Sequence, residues 1–240
     1  MKLKEIYELL NKISPFELQE SWDNSGLQIG CLDDEVKKIY VSLDLDEELL
    51  EKVNENSLII THHPLIFAGI KSIDFDTFPS NFIKTMIRKN ISCIAMHTNF
   101  DITHLNEYVA KEILGYEVFY KDGFVIYMQI DTDFDELVKK VSNDFALKNL
   151  KTIKSKKHIK TLALCTGSGA GMLKEIKADC YLTGDIKYHD AMLAKALKIS
   201  MIDIGHFESE KFFSDILAKE LKNLGIKAII SQSVNPFTYY

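Results

Sequence analysis

Short runs of β-branched and other apolar residues alternate along this chain with longer segments in which apolar residues recur every three or four positions. The short runs predict buried strands at residues 38–43, 58–61, 91–96, 124–130, 161–165, 180–183, 200–204 and 226–230. The periodic segments predict helices at residues 2–12, 47–54, 82–88, 104–114, 134–145, 172–177, 190–197 and 209–224. This alternation predicts an α/β fold in which helices cover the faces of the sheets.

The two halves of the chain repeat one order of landmarks. The predicted strands at 38–43 and 58–61 correspond in order, and nearly in spacing, to those at 161–165 and 180–183. A third strand in each half then runs into a histidine, and the helix that follows ends at a glycine placed as a helix C-cap, Gly115 or Gly225. An internal duplication, with a repeat boundary near residue 120, explains this agreement, although α/β chains in general also look periodic at this level.

Composition narrows the choice of function. The 240 residues include 29 Lys and Arg against 35 Asp and Glu, so the net charge is -6. This balance argues against bulk nucleic-acid binding and against attachment to an anionic membrane. Since Arg88 is the only arginine, a cluster of bidentate arginine clamps for phosphate is not available. An anionic substrate would need lysines, backbone amides or metal ions.

The termini and cysteines predict a cytoplasmic protein. The first residues have the pattern of an amphipathic helix and not of a signal peptide, and no apolar run approaches the length that spans a membrane. The four cysteines lie far apart and include no C-x-x-C pair, which favours reduced thiols over a disulfide frame or a thiolate zinc site. Cys165 ends a predicted strand and is expected to be buried.

The most informative stretch is the predicted strand 58–61, which runs directly into His62, His63 and Pro64. Successive side chains alternate along a strand, but the chain turns at a strand end, where two imidazoles can bind two neighbouring ions. The carboxyl ends of strands are also where α/β proteins build their sites. The other interpretation is a pair of solvated or capping histidines.

Two histidine–acid pairs strengthen the metal interpretation. His97 precedes Asp101 by four residues and His206 precedes Glu210 by four, a spacing that brings two side chains together on one helical face. Imidazole and carboxylate without thiolate suit zinc, manganese, iron or cobalt. Either pair alone is better explained as an ordinary ion pair, but together with the adjacent histidines they indicate a metal site.

Other polar residues have simpler interpretations. Asp44 and Asp46 are expected to cap the following helix. The glycine-rich segment 167–171 is either an anion cradle or a plain turn between a strand and a helix. Asp185 and His189, again four residues apart, are either an acid and a base beside the metals or a surface pair.

Assembled in order, these motifs resemble the GTP cyclohydrolase 1 type 2 homologue family, also called the Nif-three-like family. The resemblance runs nearly from end to end. It is carried by Trp22-Asp23-Asn24-Ser25-Gly26-Leu27-Gln28, whose first five residues have the composition of a structural turn, and by Thr61-His62-His63-Pro64-Leu65, His97-Thr98-Asn99-Phe100-Asp101, Thr183-Gly184-Asp185, Gly205-His206-Phe207-Glu208-Ser209-Glu210 and Asn235-Pro236-Phe237.

The resemblance implies two similar three-layer α/β domains, residues 1–100 with 205–240 and residues 101–204, and a binuclear centre of two divalent ions (Zn, Mn, Fe or Co) in the cleft between them. It also implies a toroidal homohexamer. Carried over motif by motif, the metal ligands are His62, His63, Asp101, His206 and Glu210, with His97 beside them. The chain departs from the family pattern after Asp101, where it reads Thr103-His104-Leu105-Asn106-Glu107, and at Thr183-Gly184-Asp185, where the family has a glutamate in place of the aspartate.

These expectations favour a metal-dependent hydrolase in which activated water opens the imidazole ring of a purine nucleotide such as GTP and formate is released. His97 and His189, with Asp185, are the candidate catalytic residues for proton transfer. A non-catalytic metal-binding or protein-interaction ring is the alternative, and phosphoester hydrolysis is a third hypothesis. Fold and metals alone do not decide among them.

Overall fold

The computed structural model describes residues 1–238 and divides them into two compact units. The first unit comprises Met1–Phe100 and Phe212–Pro236, and the second comprises Asp101–Lys211 with Phe237 and Thr238. Each unit contains its own sheet and its own hydrophobic core. The chain is therefore an α/β protein, as its alternating pattern predicts, and it is divided into two compact units.

The strands of the first unit are β1 (Gly26–Ile29), β2 (Lys38–Ser42), β3 (Ser57–Thr61), β4 (Ser92–Ala95) and β11 (Ile229–Ile230). Those of the second unit are β5 (Val118–Asp122), β6 (Val125–Asp133), β7 (Thr152–Ile153), β8 (His158–Leu164), β9 (Cys180–Thr183) and β10 (Ser200–Asp203).

The helices are α1 (Leu3–Ile13), α2 (Glu47–Lys52), α3 (Ser80–Arg88), α4 (Thr98–Phe100), α5 (Asn106–Tyr108), α6 (Phe134–Asp144), α7 (Tyr188–Leu197), α8 (His206–Glu210) and α9 (Phe213–Asn223). Two π-helical segments, Asp101–Leu105 and Val109–Ile113, flank α5, and two 3₁₀ turns occur at Phe16–Leu18 and Ala170–Met172. In the described part of the chain, every helix is too short or too polar to cross a lipid bilayer.

The sheet of the first unit has the order β1-β4-β3-β2-β11. Strands β2, β3, β4 and β11 are parallel, and β1 is antiparallel to β4 at one edge. Tyr40, Ile59 and Cys93 lie side by side in this register, and they pack with apolar residues of α2 and α3 on one face of the sheet. Helix α9 lies against β2 and β11. Helices thus cover the strands that carry the polar turns described below.

The sheet of the second unit has the order β5-β6-β8-β9-β10-β7. Strands β8, β9 and β10 are parallel, and the remaining neighbours are antiparallel. Tyr127, Ala163, Tyr181 and Met201 form one buried row across this sheet, and residues of α7 pack against the same cluster.

Four strands have the same arrangement in the two sheets. The order β1-β4-β3-β2 in the first corresponds to β7-β10-β9-β8 in the second, with three parallel strands and one antiparallel edge strand. In both units the edge strand also precedes the three parallel strands along the chain. This shared topology is consistent with the duplication predicted from the order of landmarks.

Several predicted elements have different limits in the structure. The helix predicted at 172–177 is wrong, because only a 3₁₀ turn forms at Ala170–Met172 and the next residues turn so that Leu173 and Ile176 enter the core. Six residues are also too few to stabilise a helix by themselves. The helix predicted at 209–224 is interrupted between α8 and α9, where the chain returns to the first unit.

The apolar pattern missed three strands that lie at or near a sheet edge and detected a fourth, β11. Strands β1, β5 and β7 each pair with only one neighbour, and β5 is largely exposed. An edge strand needs fewer apolar residues than a central strand, so its pattern is weak. By contrast, the two glycines predicted as helix C-caps, Gly115 and Gly225, both adopt the positive φ that this position favours.

Asp179 joins the start of β9 to the start of β8. Its carboxylate accepts hydrogen bonds from the backbone amides of Lys160 (2.9 Å) and Thr161 (3.0 Å) and from the Lys156 ammonium (2.5 Å). Burial alone would raise the pKa of the Asp179 carboxyl, but these donors lower that pKa from 3.8 to about 2. The ionised carboxylate therefore stabilises the second unit.

We predict that Asp179→Asn lowers the free energy of unfolding by about 1–2 kcal/mol at neutral pH, since charge-assisted hydrogen bonds are lost. Because the pKa is lower in the folded state, this contribution is complete above the ordinary value of 3.8 and is lost as the pH falls toward about 2. Urea unfolding of both proteins across this range measures the difference. Asp33→Asn, at an exposed position, is the matched control. An equal loss at all pH values would contradict the prediction.

Candidate metal-binding site

In the first unit, polar residues follow the carboxyl ends of three neighbouring parallel strands. Asp44 comes shortly after β2, His62 and His63 come directly after β3, and His97 follows β4. Because parallel strands end at the same edge of a sheet, these side chains are brought together there. The backbone amides of His62 and His63 both donate to the carbonyl oxygen of Leu43, at 3.1 and 3.2 Å.

His62 is fully buried, and its hydrogen bond defines its tautomer. Its Nδ1 lies 2.8 Å from the carbonyl oxygen of Met96. A carbonyl oxygen only accepts, so Nδ1 carries the hydrogen and Nε2 carries the lone pair of the neutral ring. This arrangement is typical of a histidine that binds a metal through Nε2.

His63 is oriented by an acid that the sequence analysis assigned to another role. Its Nδ1 lies 2.7 Å from Oδ1 of Asp44. The prediction that Asp44 caps the following helix is therefore wrong, whereas Asp46 does cap α2, through a 2.7 Å bond from the amide of Leu49 to its Oδ1. Asp44 follows β2 in the same way that the histidines follow β3, and this position was the signal for its role.

His97 is oriented by Asp23, whose side chain is fully buried. Oδ1 of Asp23 lies 2.8 Å from Nδ1 of His97, and Oδ2 accepts from the amide of Thr98 (3.1 Å) and the hydroxyl of Ser25 (3.1 Å). Burial alone would raise the pKa of the Asp23 carboxyl, but the hydrogen bond and charge of His97 and the Thr98 hydroxyl hold it well below its usual range. Asp23 is thus an ionised acceptor that directs the other nitrogen of His97 away from it.

The three imidazoles of the first unit form one cluster. One ring nitrogen from each of His62, His63 and His97 lies within 4.8 Å of the other two, a separation compatible with a shared ion. The ring centroids are 5.0–5.6 Å apart. Phe213 contacts the His62 ring at 5.0 Å and provides an apolar neighbour.

The second unit contains a histidine with a carboxylate on each ring nitrogen. His206 Nδ1 lies 2.7 Å from Oδ2 of Asp185, which follows β9, and His206 Nε2 lies 3.0 Å from Oε2 of Glu210 on the same face of α8. The predicted four-residue spacing is confirmed for this pair. Glu210 is buried, so its carboxylate and the Nε2 of His206 form a compact pair of groups that could bind a metal ion.

Hydrogen bonds connect Asp101 to the turn that follows β8. The Thr166 hydroxyl donates to its Oδ1 at 3.4 Å, and the side chain of Asn106 links its carbonyl oxygen to the amide of Thr166 at 3.2 and 2.8 Å. Asn106 belongs to the segment that departs from the family pattern. Its side chain connects Asp101 to Thr166, the residue before Gly167. The sequence did not predict this role of Asn106. The only signal was that residues 103–107 differ from the family pattern.

Two glycines leave room for Glu210 and for the backbone of His206. A Cβ at Gly167 would clash with Oε1 of Glu210, and Gly167 also has a positive φ of 63°. A Cβ at Gly184 would lie 2.7 Å from the backbone nitrogen of His206. Of the two interpretations left open for the segment 167–171, a plain turn accounts for Gly167, which allows the close approach of Glu210.

Asp203 connects the turn that contains Asp185 to the turn that precedes His206. It is buried at the end of β10, and it accepts hydrogen bonds from the backbone amides of Ile186 (3.2 Å) and Gly205 (3.1 Å). These amides follow Asp185 and precede His206, so Asp203 links the two segments whose side chains meet. It was not among the predicted site residues, since its contacts depend on the folded turns.

The remaining sequence candidates lie apart from these clusters. His189 is exposed on α7, where its ring contacts Tyr188 at 5.4 Å, and in the described residues Asp185 bonds His206 and not His189. Cys165 is buried, as predicted, and burial raises the pKa of its thiol well above the ordinary value. A protonated thiol is a poor metal ligand, which leaves imidazoles and carboxylates as the donors.

Fold and side chains together define a class: a two-unit α/β protein with imidazole and carboxylate donors at the carboxyl edges of its parallel strands. Comparisons with known proteins identify the family. Residues 1–236 match the family model described as Duf34/NIF3 (NGG1p interacting factor 3). The chain belongs to this family, as its motifs predict.

Curated relatives and solved structures agree with this assignment. A GTP cyclohydrolase 1 type 2 homolog of Campylobacter jejuni is 52% identical over 241 residues, which covers 100% of both chains. A Helicobacter pylori protein named GTP cyclohydrolase 1 type 2 is 43% identical over 98% of this chain and 97% of its own. Reduced HcgD from Methanocaldococcus jannaschii is similar in structure, with a TM-score of 0.84, 29% identity and 98% of each chain covered.

We predict that Gly167→Ala destabilises the protein by at least about 1 kcal/mol, because the positive φ and the clash with Glu210 both disfavour a side chain. Gly171→Ala is the matched control, since its new methyl group would meet no atom within 4 Å and should change stability by less than about 1 kcal/mol. Denaturant unfolding of the two variants measures both effects. Equal stabilities would refute the close-approach interpretation.

Proposed function

We propose that this chain is a metal-dependent hydrolase that binds two divalent ions through His62, His63, Asp101, His206 and Glu210. The observation that carries the proposal is the orientation of the histidines. In His62, His63, His97 and His206 alike, Nδ1 contacts an oxygen acceptor of the protein. Metal-binding histidines characteristically have such an acceptor on the nitrogen that does not bind the ion.

The donor chemistry fits divalent transition metals. Three histidines, His62, His63 and His206, and two buried acids would supply nitrogen and oxygen atoms, and burial raises the pKa of the Cys165 thiol, which keeps it out of the set. Zinc, manganese, iron and cobalt all accept such ligands, and availability commonly decides among them. Bound ions of this kind would supply activation of water for hydrolysis near neutral pH.

His97 is the residue best suited to transfer a proton. Its Nδ1 bonds the ionised and buried carboxylate of Asp23, which fixes the ring and turns its Nε2 away, the way an orienting acid positions a general base. His97 also lies with His62 and His63 in one cluster. His189, the other candidate base, is exposed on α7 and contacts no member of that cluster.

Asp185 is better explained as a positioning residue than as a catalytic acid. Its carboxylate bonds Nδ1 of His206 at 2.7 Å, so it orients Nε2 of that ring toward Glu210. Aspartate, although it is shorter than the family's glutamate, is therefore long enough to reach His206. Loss of such an acceptor commonly weakens metal binding by about 10- to 100-fold.

The proposed substrate is a purine nucleotide, and the reaction opens the imidazole ring with release of formate. Support comes from the Campylobacter and Helicobacter relatives, whose names refer to GTP cyclohydrolase 1 type 2. In a chain with one arginine, bound ions would also offset phosphate charge. The toroidal homohexamer implied by the sequence resemblance stays a prediction.

We predict that His62→Ala and Glu210→Ala each weaken metal binding by at least about tenfold, because each change removes a proposed ligand. Metal content after reconstitution and dialysis, measured by elemental analysis, checks this. His158→Ala is the matched control, since His158 also bonds an acid, Asp133, but is exposed on β8 and outside every donor cluster among the described residues. Unchanged metal content in both ligand variants would refute the ligand set.

The catalytic proposal is tested by incubating the chain with GTP after reconstitution with zinc, manganese, iron(II) or cobalt. We expect formate release with at least one ion and its loss in His62→Ala, while His158→Ala retains the activity. Formate is measured by a coupled dehydrogenase assay, and inorganic phosphate is measured in parallel.

If no formate is released with any of the four ions, the cyclohydrolase proposal is contradicted. Phosphate release in their place would support phosphoester hydrolysis. Metal binding without either product would support the non-catalytic alternative.

A further inference from the structure

Two aromatic side chains of the first unit are exposed beside the histidine cluster. Trp22 is 55% exposed and Phe67 is 52% exposed. Their rings lie 6.0 Å apart, and each meets the His97 ring nearly edge-on, at 6.3 and 6.1 Å. The two rings thus form a contiguous exposed apolar patch bordered by polar side chains, a type of surface that can mark a ligand-binding site.

The backbone that carries these rings is held in place by two amide side chains. Nδ2 of Asn24 donates to the carbonyl oxygen of Ile66 (2.5 Å), and Oε1 of Gln28 accepts from the amide of the same residue (3.1 Å). Nε2 of Gln28 in turn donates to the carbonyl oxygen of Asn24 (2.6 Å). The turn that carries Trp22 is thereby joined to the segment that carries Phe67.

This network accounts for most of the motif at residues 22–28. Asp23 orients His97, the Ser25 hydroxyl accepts from the backbone amide of His97 at 3.1 Å, and Asn24 and Gln28 bind Ile66. The Trp22 ring takes part in none of these hydrogen bonds and is largely exposed to solvent. The motif therefore presents a large aromatic face next to His97 on a fixed support, and this arrangement suits a rigid planar ligand.

We propose that Trp22 and Phe67 form an aromatic platform, in which the substrate's planar heteroaromatic ring stacks on Trp22 and meets Phe67 at an angle, since the two rings are tilted by 57° to each other; this places the substrate ring beside His97. The inference rests on the proposed function for the identity of the site, and it adds the residues that hold the base. Stacking on aromatic side chains is tolerant of sequence and ring substituents, because each base has a π-face.

A ring is favoured over an anionic group at this position. The platform is uncharged, the nearest ionised side chain on its support is the acid Asp23, and the chain has one arginine in all. A phosphate would meet no positive charge from Trp22 or Phe67, whereas a base would bury apolar area on both. Sugar and phosphate groups would then extend away from the platform.

Trp22 is the only tryptophan, so its fluorescence reports directly on the platform. The intact chain, with and without zinc, is titrated with guanosine and separately with ribose 5-phosphate, with excitation at the red edge of tryptophan absorption. We expect saturable quenching by guanosine and no quenching by ribose 5-phosphate. This readout needs no turnover, so it is independent of hydrolysis.

Variants separate stacking from general effects on folding. Phe67→Ala should weaken guanosine binding by about 5- to 150-fold, the range expected when a stacking ring is removed. Trp22→Ala, measured by calorimetry, should have an effect of the same size, and Trp22→Phe should recover part of the affinity. Phe119→Ala is the matched control, since Phe119 is 60% exposed on β5 and belongs to the other unit.

Two results would overturn the platform: no saturable quenching by guanosine, or unchanged affinity in both Phe67→Ala and Trp22→Ala. If formate release persists while these variants keep the wild-type Kd and KM, the platform fails and the hydrolase stands. If guanosine binds in a Trp22-dependent way but no formate forms, the platform stands and the hydrolase fails.

Discussion

A hydrogen bond to one nitrogen of each imidazole is the interaction on which the candidate site depends. A histidine ring can rotate and exchange tautomers, and a metal site needs both fixed. The carbonyl of Met96 and the carboxylates of Asp44, Asp23 and Asp185 do this for four rings. Three of the four acceptors are anionic, so they also favour the electron-rich ring that binds cations strongly. The orientation of the donors is thus built into the protein before any ion is present.

Strand geometry explains why these partners meet. In the first unit, three parallel neighbours end at one edge, and their next residues supply Asp44, the two adjacent histidines and His97. In the second unit the corresponding strands end in Thr166, Asp185 and, through the turn at Gly205, His206. Equivalent positions in the two sheets therefore carry different side chains. The two units share a framework, consistent with an internal duplication, but their strand ends carry different side chains and so differ in chemistry.

The apolar pattern predicted the central strands well because their burial on both faces leaves little choice of residue. β9 has the predicted limits, and β2 and β3 differ from theirs by one residue. The acids that orient the histidines were harder to predict. Asp23 lies 74 residues from His97 in sequence, and nothing local to Asp23 indicates that partner. Only the folded sheet brings them together, so the metal donors were visible in the sequence but most of their supporting acceptors were not.

Asp185 illustrates how backbone conformation compensates for side-chain length. The family's glutamate is one methylene longer, yet the carboxylate of Asp185 reaches His206 at 2.7 Å. Asp185 has a positive φ of 55°, a conformation that aspartate tolerates better than most residues. The preceding Gly184 packs so closely against the backbone of His206 that a Cβ would not fit, which brings the two turns near enough for a short acid. The backbone turn at Asp185 therefore determines whether its carboxylate contacts His206, and this turn depends on Gly184.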